Sequence, residues 1–152
     1  MSDVTNEWRS RILVASDDIR DLLDRSKRIA VLGIKPESHR HKPAYSVAHY
    51  LQQEGYDIIP VPVYYPEVTE ILGQPVYRTL SEIPGHVDLV NVFRKPEDIP
   101  AHVPDILGKR PNAVWFQKGI RHDEVARELA RSGITVVQDR CTSIEHRRLR
   151  RR

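Results

Sequence analysis

The stretch Arg28-Ile-Ala-Val-Leu-Gly-Ile-Lys-Pro-Glu-Ser-His-Arg-His-Lys-Pro-Ala-Tyr-Ser-Val-Ala-His-Tyr-Leu51 decides how the rest of the chain is read. Ile29, Ala30, Val31 and Leu32 form an apolar run too short for a helix, and Gly33 ends it, as in a strand buried on both faces of a parallel sheet. Polar, basic and proline residues follow. Then Ala44, Val47, Ala48 and Leu51 recur at i, i+3, i+4 and i+7, the stripe of an amphipathic helix. The segment therefore reads as strand, loop, helix. In such a unit the helix start directs amide donors and the positive end of its dipole at the loop, where an anion is stabilised. Arg40, Lys42 and Lys35 add cationic side chains, and Gly33 allows a ligand close to the backbone. The expectation is a phosphate-bearing ligand; the competing reading is an ordinary strand-to-helix turn with solvated basic residues.

Upstream, Ser16 or Asp17 is expected to cap a helix with Ile19, Leu22 and Leu23 on one face, ending near Ser26. Residues 1–15, with Trp8, Ile12, Leu13 and Val14 but no clean period, read as an N-terminal extension packing on the domain. Downstream, Ile58, Ile59, Val61 and Val63 read as a second strand, which Pro60 and Pro62 confine to an edge or end early. Residues 66–73 are expected to form a short helical turn, and residues 74–84 an irregular connection with a Ser81 cap. Residues 87–93, 113–116 and 134–137 supply three further strands. Between them come a helix over 99–107, kinked or restarted by Pro104 and closed by Gly108, and a helix over 122–132 stopped by Gly133; a last helix runs over 143–149.

This alternation predicts an α/β domain over residues 16–149, doubly wound, with a mainly parallel five-stranded sheet, helices on both faces and a basic tail at 150–152. In such a sheet the ligand crevice lies at the carboxyl ends of the strands. That rule brings residues 33–43, 63–65, 93–95 and 117–119 around a single site.

Composition narrows the function classes. A chain of 152 residues with 39% apolar and 30% charged residues suits one soluble domain. No apolar run approaches the roughly 18–20 residues of a membrane helix, and the N-terminus lacks a signal-peptide pattern, so the expected location is the cytoplasm. The net charge is +3, but five of the 24 basic residues are arginines at 147, 148 and 150–152, leaving 19 against 21 acidic ones. The basicity belongs to the terminus, no aromatic residues interleave with it, and no nucleic acid is expected. A single cysteine, Cys141, agrees with a reducing compartment.

The dinucleotide fingerprint needs three glycines after the first strand and a carboxylate closing the second. Here only Gly33 is present, and the second strand leads into Val63-Tyr64-Tyr65. NAD is disfavoured, and a P-loop is excluded because no Gly-Lys-Ser/Thr follows the first strand. A nucleotide-type ligand approached by one glycine and a basic loop remains.

Five segments in order carry a resemblance: Ile29 to Gly33 with Pro43 to Ala48, Gly55 to Val61, Asp88 to Arg94, Val114 to Ile120, and Val136 to Cys141. Together the chain resembles the small single-domain CoA-binding proteins, whose Rossmann-like fold is similar to the CoA-binding domain of the succinyl-CoA synthetase alpha subunit. Where the family pattern has Val-Asn-Pro after the second strand, this chain has Val61-Pro62-Val63. The resemblance implies coenzyme A or an acyl-CoA as ligand, its diphosphate held by the loop after Gly33. By carry-over, Gly33, Ile34, Lys35, Arg40, Pro43, Ala44 and Tyr45 form the phosphate region, and Phe93, Arg94, Gln117 and Gly119 line the rest of the path. Lys42, from the basic loop, and Val63, from the end of the second strand, join the expected site on their position rather than on the family pattern. Such a ligand is polyanionic at one end and slim at the other, which suits basic loops beside an apolar slot.

No catalytic constellation is evident. His39 and His41 read as loop residues facing phosphate or solvent rather than metal ligands. Cys141 reads as packing, with a redox role through Arg140 as the alternative, and Trp115 and Phe116 read as buried. The phosphohistidine domain of the synthetase relatives is absent from this sequence. The leading expectation is non-catalytic CoA binding. The alternatives are an NAD(P)-binding oxidoreductase-like protein and an interaction protein with a vestigial nucleotide site, and all three readings leave room for a homo-oligomer or a partner protein.

Overall fold

The computed structural model describes residues 6–151, which run in order through α1 (Ser16–Arg25), β1 (Arg28–Leu32), α2 (Pro43–Gln53), β2 (Asp57–Val61), β3 (Glu70–Ile71), β4 (Gln74–Pro75), β5 (Leu89–Val92), α3 (Val103–Lys109), β6 (Ala113–Phe116), α4 (Asp123–Arg131), β7 (Thr135–Val137) and α5 (Thr142–Leu149). Five strands pair in the order β2-β1-β5-β6-β7, all parallel, and β3 pairs antiparallel with β4. The result is a Rossmann-like α/β fold. The chain leaves β1 for β2 on one side and returns to β5 on the other. That reversal makes a switch point between the ends of β1 and β5.

Both faces of the sheet are covered, which explains why the central strands are apolar without alternation. Ala30, Leu32, Val90, Val92, Val114 and Phe116 pack with Ile106, Val125 and Leu129 of α3 and α4. Ile29, Val31, Leu89 and Trp115 point the other way, onto Ile19 and Leu23 of α1 and Val47 and Leu51 of α2. Trp115 and Phe116 are fully buried, and the Trp115 indole N–H donates to Arg140 O at 2.7 Å.

Several local expectations are corrected. The residue capping α1 is Ala15, without a side-chain bond, so neither Ser16 nor Asp17 is the cap. Strand β2 stops at Val61 and lies on the sheet edge, as its prolines require, and Val63 falls beyond it. Residues 66–73 are not a helical turn: they lead into the β3–β4 hairpin, whose corner residues Leu72 and Gly73 have φ of 54° and 73°. Tertiary bonds fix that corner, with the Leu72 N–H donating to the Glu37 carboxylate at 2.7 Å and Gln52 Nε2 donating to Leu72 O at 2.9 Å.

Between β4 and β5 the cap is Thr79 rather than Ser81. Its N–H and hydroxyl donate to the Glu82 carboxylate at 2.9 and 3.0 Å. Ser81 instead donates its hydroxyl to Asp105 at 2.5 Å. After β5 come two short 3-10 turns, Pro96–Asp98 and Pro100–His102. Pro104 then sits in the first turn of α3, Gly108 lies inside that helix, and Arg110 ends it at φ 54°.

Residues 6–15 form a 3-10 turn, Glu7–Arg11, and an extended segment. Trp8 is buried beneath the guanidinium groups of Arg9, Arg127 and Arg131, at 4.6, 5.8 and 5.1 Å from its ring. Ile12 then pairs with Val136 along the outer edge of β7. Residues 1–5 of the expected extension and Arg152 of the expected tail lie outside the described residues. No helix among the described residues is long and apolar enough to cross a membrane.

Candidate ligand cleft

At the switch point the chain turns out of β1 through Gly33 and out of β5 through Phe93. Gly33 N–H donates to Val61 O at 2.9 Å and Phe93 N–H to Leu32 O at 2.8 Å, so both exits are tied to the sheet. Two adjoining hollows open here. One, of about 170 Å³, is lined by Gly33, Ile34, Lys35, Ala44, Val63, Tyr64, Tyr65, Phe93, Arg94, Lys95 and Asp98. The other, of about 410 Å³, shares Lys35, Ala44, Phe93, Arg94 and Lys95 with it and adds Lys42, Pro43, Pro96, Gly119 and Ile120. Both are therefore parts of one cleft across the ends of β1, β5 and β6. Four cations, Lys35, Lys42, Arg94 and Lys95, ring an apolar floor of Pro43, Ala44, Phe93 and Ile120.

The start of α2 faces this cleft without a side-chain cap. Pro43 has no N–H, and the amides of Tyr45 and Ser46 both bond Lys42 O at 2.9 Å, so the cluster of helix-start donors expected from the sequence reduces to the amide of Ala44. The cationic side chains supply the rest of the attraction for an anion.

The far wall is the Tyr64–Tyr65 turn. Tyr65 takes a left-handed backbone, φ 65°, which a non-glycine residue holds only under external restraint. Arg78 supplies the restraint: its guanidinium donates to the carbonyls of Tyr64, Tyr65, Pro66 and Val68 at 3.2, 3.0, 3.3 and 2.6 Å. Lys35 Nζ donates to the Tyr65 hydroxyl at 3.5 Å, and the His39 ring lies 5.4 Å from that of Tyr65.

Of the residues singled out in the sequence, Gly33, Ile34, Lys35, Lys42, Pro43, Ala44, Val63, Phe93, Arg94 and Gly119 line the cleft. Arg40, Tyr45 and Gln117 do not. The Arg40 Nε donates to Glu37 O at 3.3 Å within its own loop. Tyr45 is buried in the core on the α2 side, where burial first and the Glu37 carboxylate second raise its phenol above the ordinary value. Gln117 is buried and donates through Nε2 to Asn91 Oδ1 and Thr142 Oγ1, both at 2.8 Å.

Sequence reasoning did not single out Asp98, Pro96 and Ile120, which line the cleft, or Arg78, which restrains its wall, and took Tyr65 only as part of the 63–65 segment. The one available signal was proximity of Tyr65 to the end of the second strand. Arg140, considered as a neighbour that activates Cys141, instead donates to Val14 O, Ser16 Oγ and the Glu145 carboxylate at 3.1, 3.4 and 3.3 Å. The Cys141 thiol meets the Ser143 hydroxyl at 3.2 Å.

The model of the CoA binding domain matches residues 27–147. The chain belongs to this CoA-binding family. It is 36% identical over 129 residues to YneT of Bacillus subtilis (strain 168), covering 85% of this chain and 92% of that one. A solved structure from Thermus thermophilus is 38% identical with a TM-score of 0.81, covering 90% of this chain and 99% of that one. One from Pyrococcus horikoshii OT3 is 32% identical with a TM-score of 0.80, covering 98% and 99%. The larger hollow is within the volume range of small-molecule sites.

Proposed function

We propose that this protein binds coenzyme A or an acyl-CoA at the carboxyl ends of the strands and does not itself transform it. The observation that carries this reading is the convergence of Lys35, Lys42, Arg94 and Lys95 on one apolar cleft at the β1–β5 switch point of a CoA-binding domain. In this reading the diphosphate lies between the loop after Gly33 and Arg94, near the Ala44 amide. The pantetheine arm follows the Phe93–Ile120 side of the groove. The residues of the cleft bind and orient; none is a nucleophile held against a general base.

Thermal unfolding in the presence of CoA, acetyl-CoA, dephospho-CoA, NAD and NADP tests the proposal. A ligand at 100 times its Kd stabilises the folded state by about 2.7 kcal/mol, a readily measured shift in Tm. CoA and acetyl-CoA are expected to stabilise, with NAD inert. Stabilisation by NAD alone would replace the reading with a dinucleotide one, and turnover of acetyl-CoA to free thiol would overturn its non-catalytic part.

A further inference from the structure

Arg94 reaches across the mouth of the cleft. Its Cδ lies 3.2 Å from the position a Cβ would take on Gly33, and its guanidinium reaches Tyr64, with Nη1 at 3.5 Å from the hydroxyl and the carbon 5.6 Å from the ring centre. On the other side, Arg94 Nε donates to His102 Nε2 at 3.1 Å, and Nη2 stands 3.7 Å from Asp98. His102 closes the second 3-10 turn after β5 and lines neither hollow.

Resting on the CoA reading of the cleft, we propose that His102 is a positioning residue: its neutral imidazole holds the Arg94 side chain in the orientation that presents a cation to the ligand's phosphates. An arginine has no acceptor, so the bond requires Nε2 to carry a lone pair and Nδ1 to carry the proton. The Arg94 side chain is thereby ordered before the ligand arrives, which lowers the ordering cost of binding. Protonation of Nε2 removes the acceptor and sets two cations together.

The surroundings keep His102 neutral. Burial is the largest influence and lowers its pKa below the ordinary 6.5, the Arg94 guanidinium lowers it further, and Asp105 and Asp98 oppose both. The Asp105 carboxylate is itself engaged by the amides of Leu80 and Ser81, at 2.7 and 3.1 Å, and by the Ser81 hydroxyl. The positioning function is present above the His102 pKa and lost as pH falls through it.

Calorimetric titration with CoA and with dephospho-CoA between about pH 5 and 8 tests this in the wild-type chain, His102→Gln and His102→Leu. His102→Gln offers a non-titrating carbonyl acceptor. It is expected to bind within about twofold of wild type near neutrality and to lose the part of the acid decline that wild type shows with dephospho-CoA, where no 3′-phosphate titrates. His102→Leu, which cannot accept, is expected to bind about fivefold more weakly at neutral pH, the equivalent of one hydrogen bond. Circular dichroism of both variants verifies the fold. Superimposable pH profiles for wild type and His102→Gln, or full affinity in His102→Leu, would overturn the role of His102 alone. A wild-type chain that binds no CoA at any pH would overturn the CoA reading and this proposal with it.

Discussion

The backbone carbonyl of Phe93 occupies the space beside Gly33: a Cβ built on Gly33 would stand 2.2 Å from that oxygen. Gly33 also has φ 90°, a conformation that L side chains rarely adopt. The glycine is therefore required by the approach of the β1 and β5 exits to each other, before any ligand is considered. Gly33→Ala is expected to destabilise the fold by at least ~2 kcal/mol in urea unfolding. Wild-type stability in that variant would mean that the two exits do not approach this closely.

Lys42 and Arg40 lie two positions apart in the same basic loop, yet only Lys42 lines the cleft. Lys42→Ala is expected to weaken CoA binding about threefold or more and to flatten its salt dependence, as removal of an exposed cation near phosphate should. Arg40→Ala is expected to leave affinity within about twofold, since an exposed side chain outside the cleft adds only a screened charge. Equal losses in the two variants would place the phosphates nearer the Glu37–Arg40 turn than the groove.

Gln117→Leu separates a core role from a ligand role. The substitution leaves Asn91 Oδ1 without its donor at a fully buried position, at a cost of about 1–3 kcal/mol in stability. CoA affinity measured well below the melting temperature is expected to be retained. A large loss of affinity with little loss of stability would return Gln117 to the ligand path.

How much of this was legible in the sequence follows from which forces act locally. The five core strands declared themselves because segments buried on both faces read as short unbroken apolar runs, and the four loops at their carboxyl ends then had to converge. Asn91 within such a run was a visible signal of a buried polar partner, although sequence alone did not name Gln117. The β3–β4 hairpin was hidden because its corner at Leu72 is held by Glu37 and Gln52, 35 and 20 residues away. Tyr45 and Ala44 are adjacent, and helix geometry alone sends one into the core and the other to the cleft. The Arg94–His102 pairing was equally hidden, because it depends on how two 3-10 turns fold back after β5.

Among the described residues Glu145 is the most deeply buried charged side chain, 2% exposed, and Arg20, Arg140 and Arg148 reach its carboxylate at 3.4, 3.3 and 3.4 Å. It ties α1, the exit of β7 and α5 together. Glu145→Ala is expected to cost about 3 kcal/mol, the low end for removing one partner of a buried pair, because the arginines keep contact with water. Chemical denaturation of the variant measures it; a loss under about 1 kcal/mol would show that the arginines are satisfied without the carboxylate.

Tyr56 donates its hydroxyl to Leu23 O at 2.8 Å, and burial, followed by the nearby Asp24 charge, pushes its pKa up to about 12 from the ordinary 10.0. The folded state therefore holds this proton more tightly than the unfolded chain does. Its contribution is full below the unfolded value of 10.0 and declines as pH rises towards about 12. Stability is expected to fall over that alkaline interval, and Tyr56→Phe to shallow the slope even while it lowers stability at neutral pH. An unchanged slope in the variant would assign the alkaline loss to other groups.

The two margins of the sheet have a consequence for how copies of the chain meet. On one margin, Pro60 offers no N–H and its carbonyl is already taken by Tyr77 N–H at 3.0 Å; on the other, Leu13 N–H bonds Val136 O at 2.9 Å. Each border thus has a strand acceptor already engaged, and the β2 border lacks a donor at Pro60. A strand arriving edgewise from a second copy would have to displace a bond already made at either margin, so ribbon growth through the sheet is disfavoured from both sides.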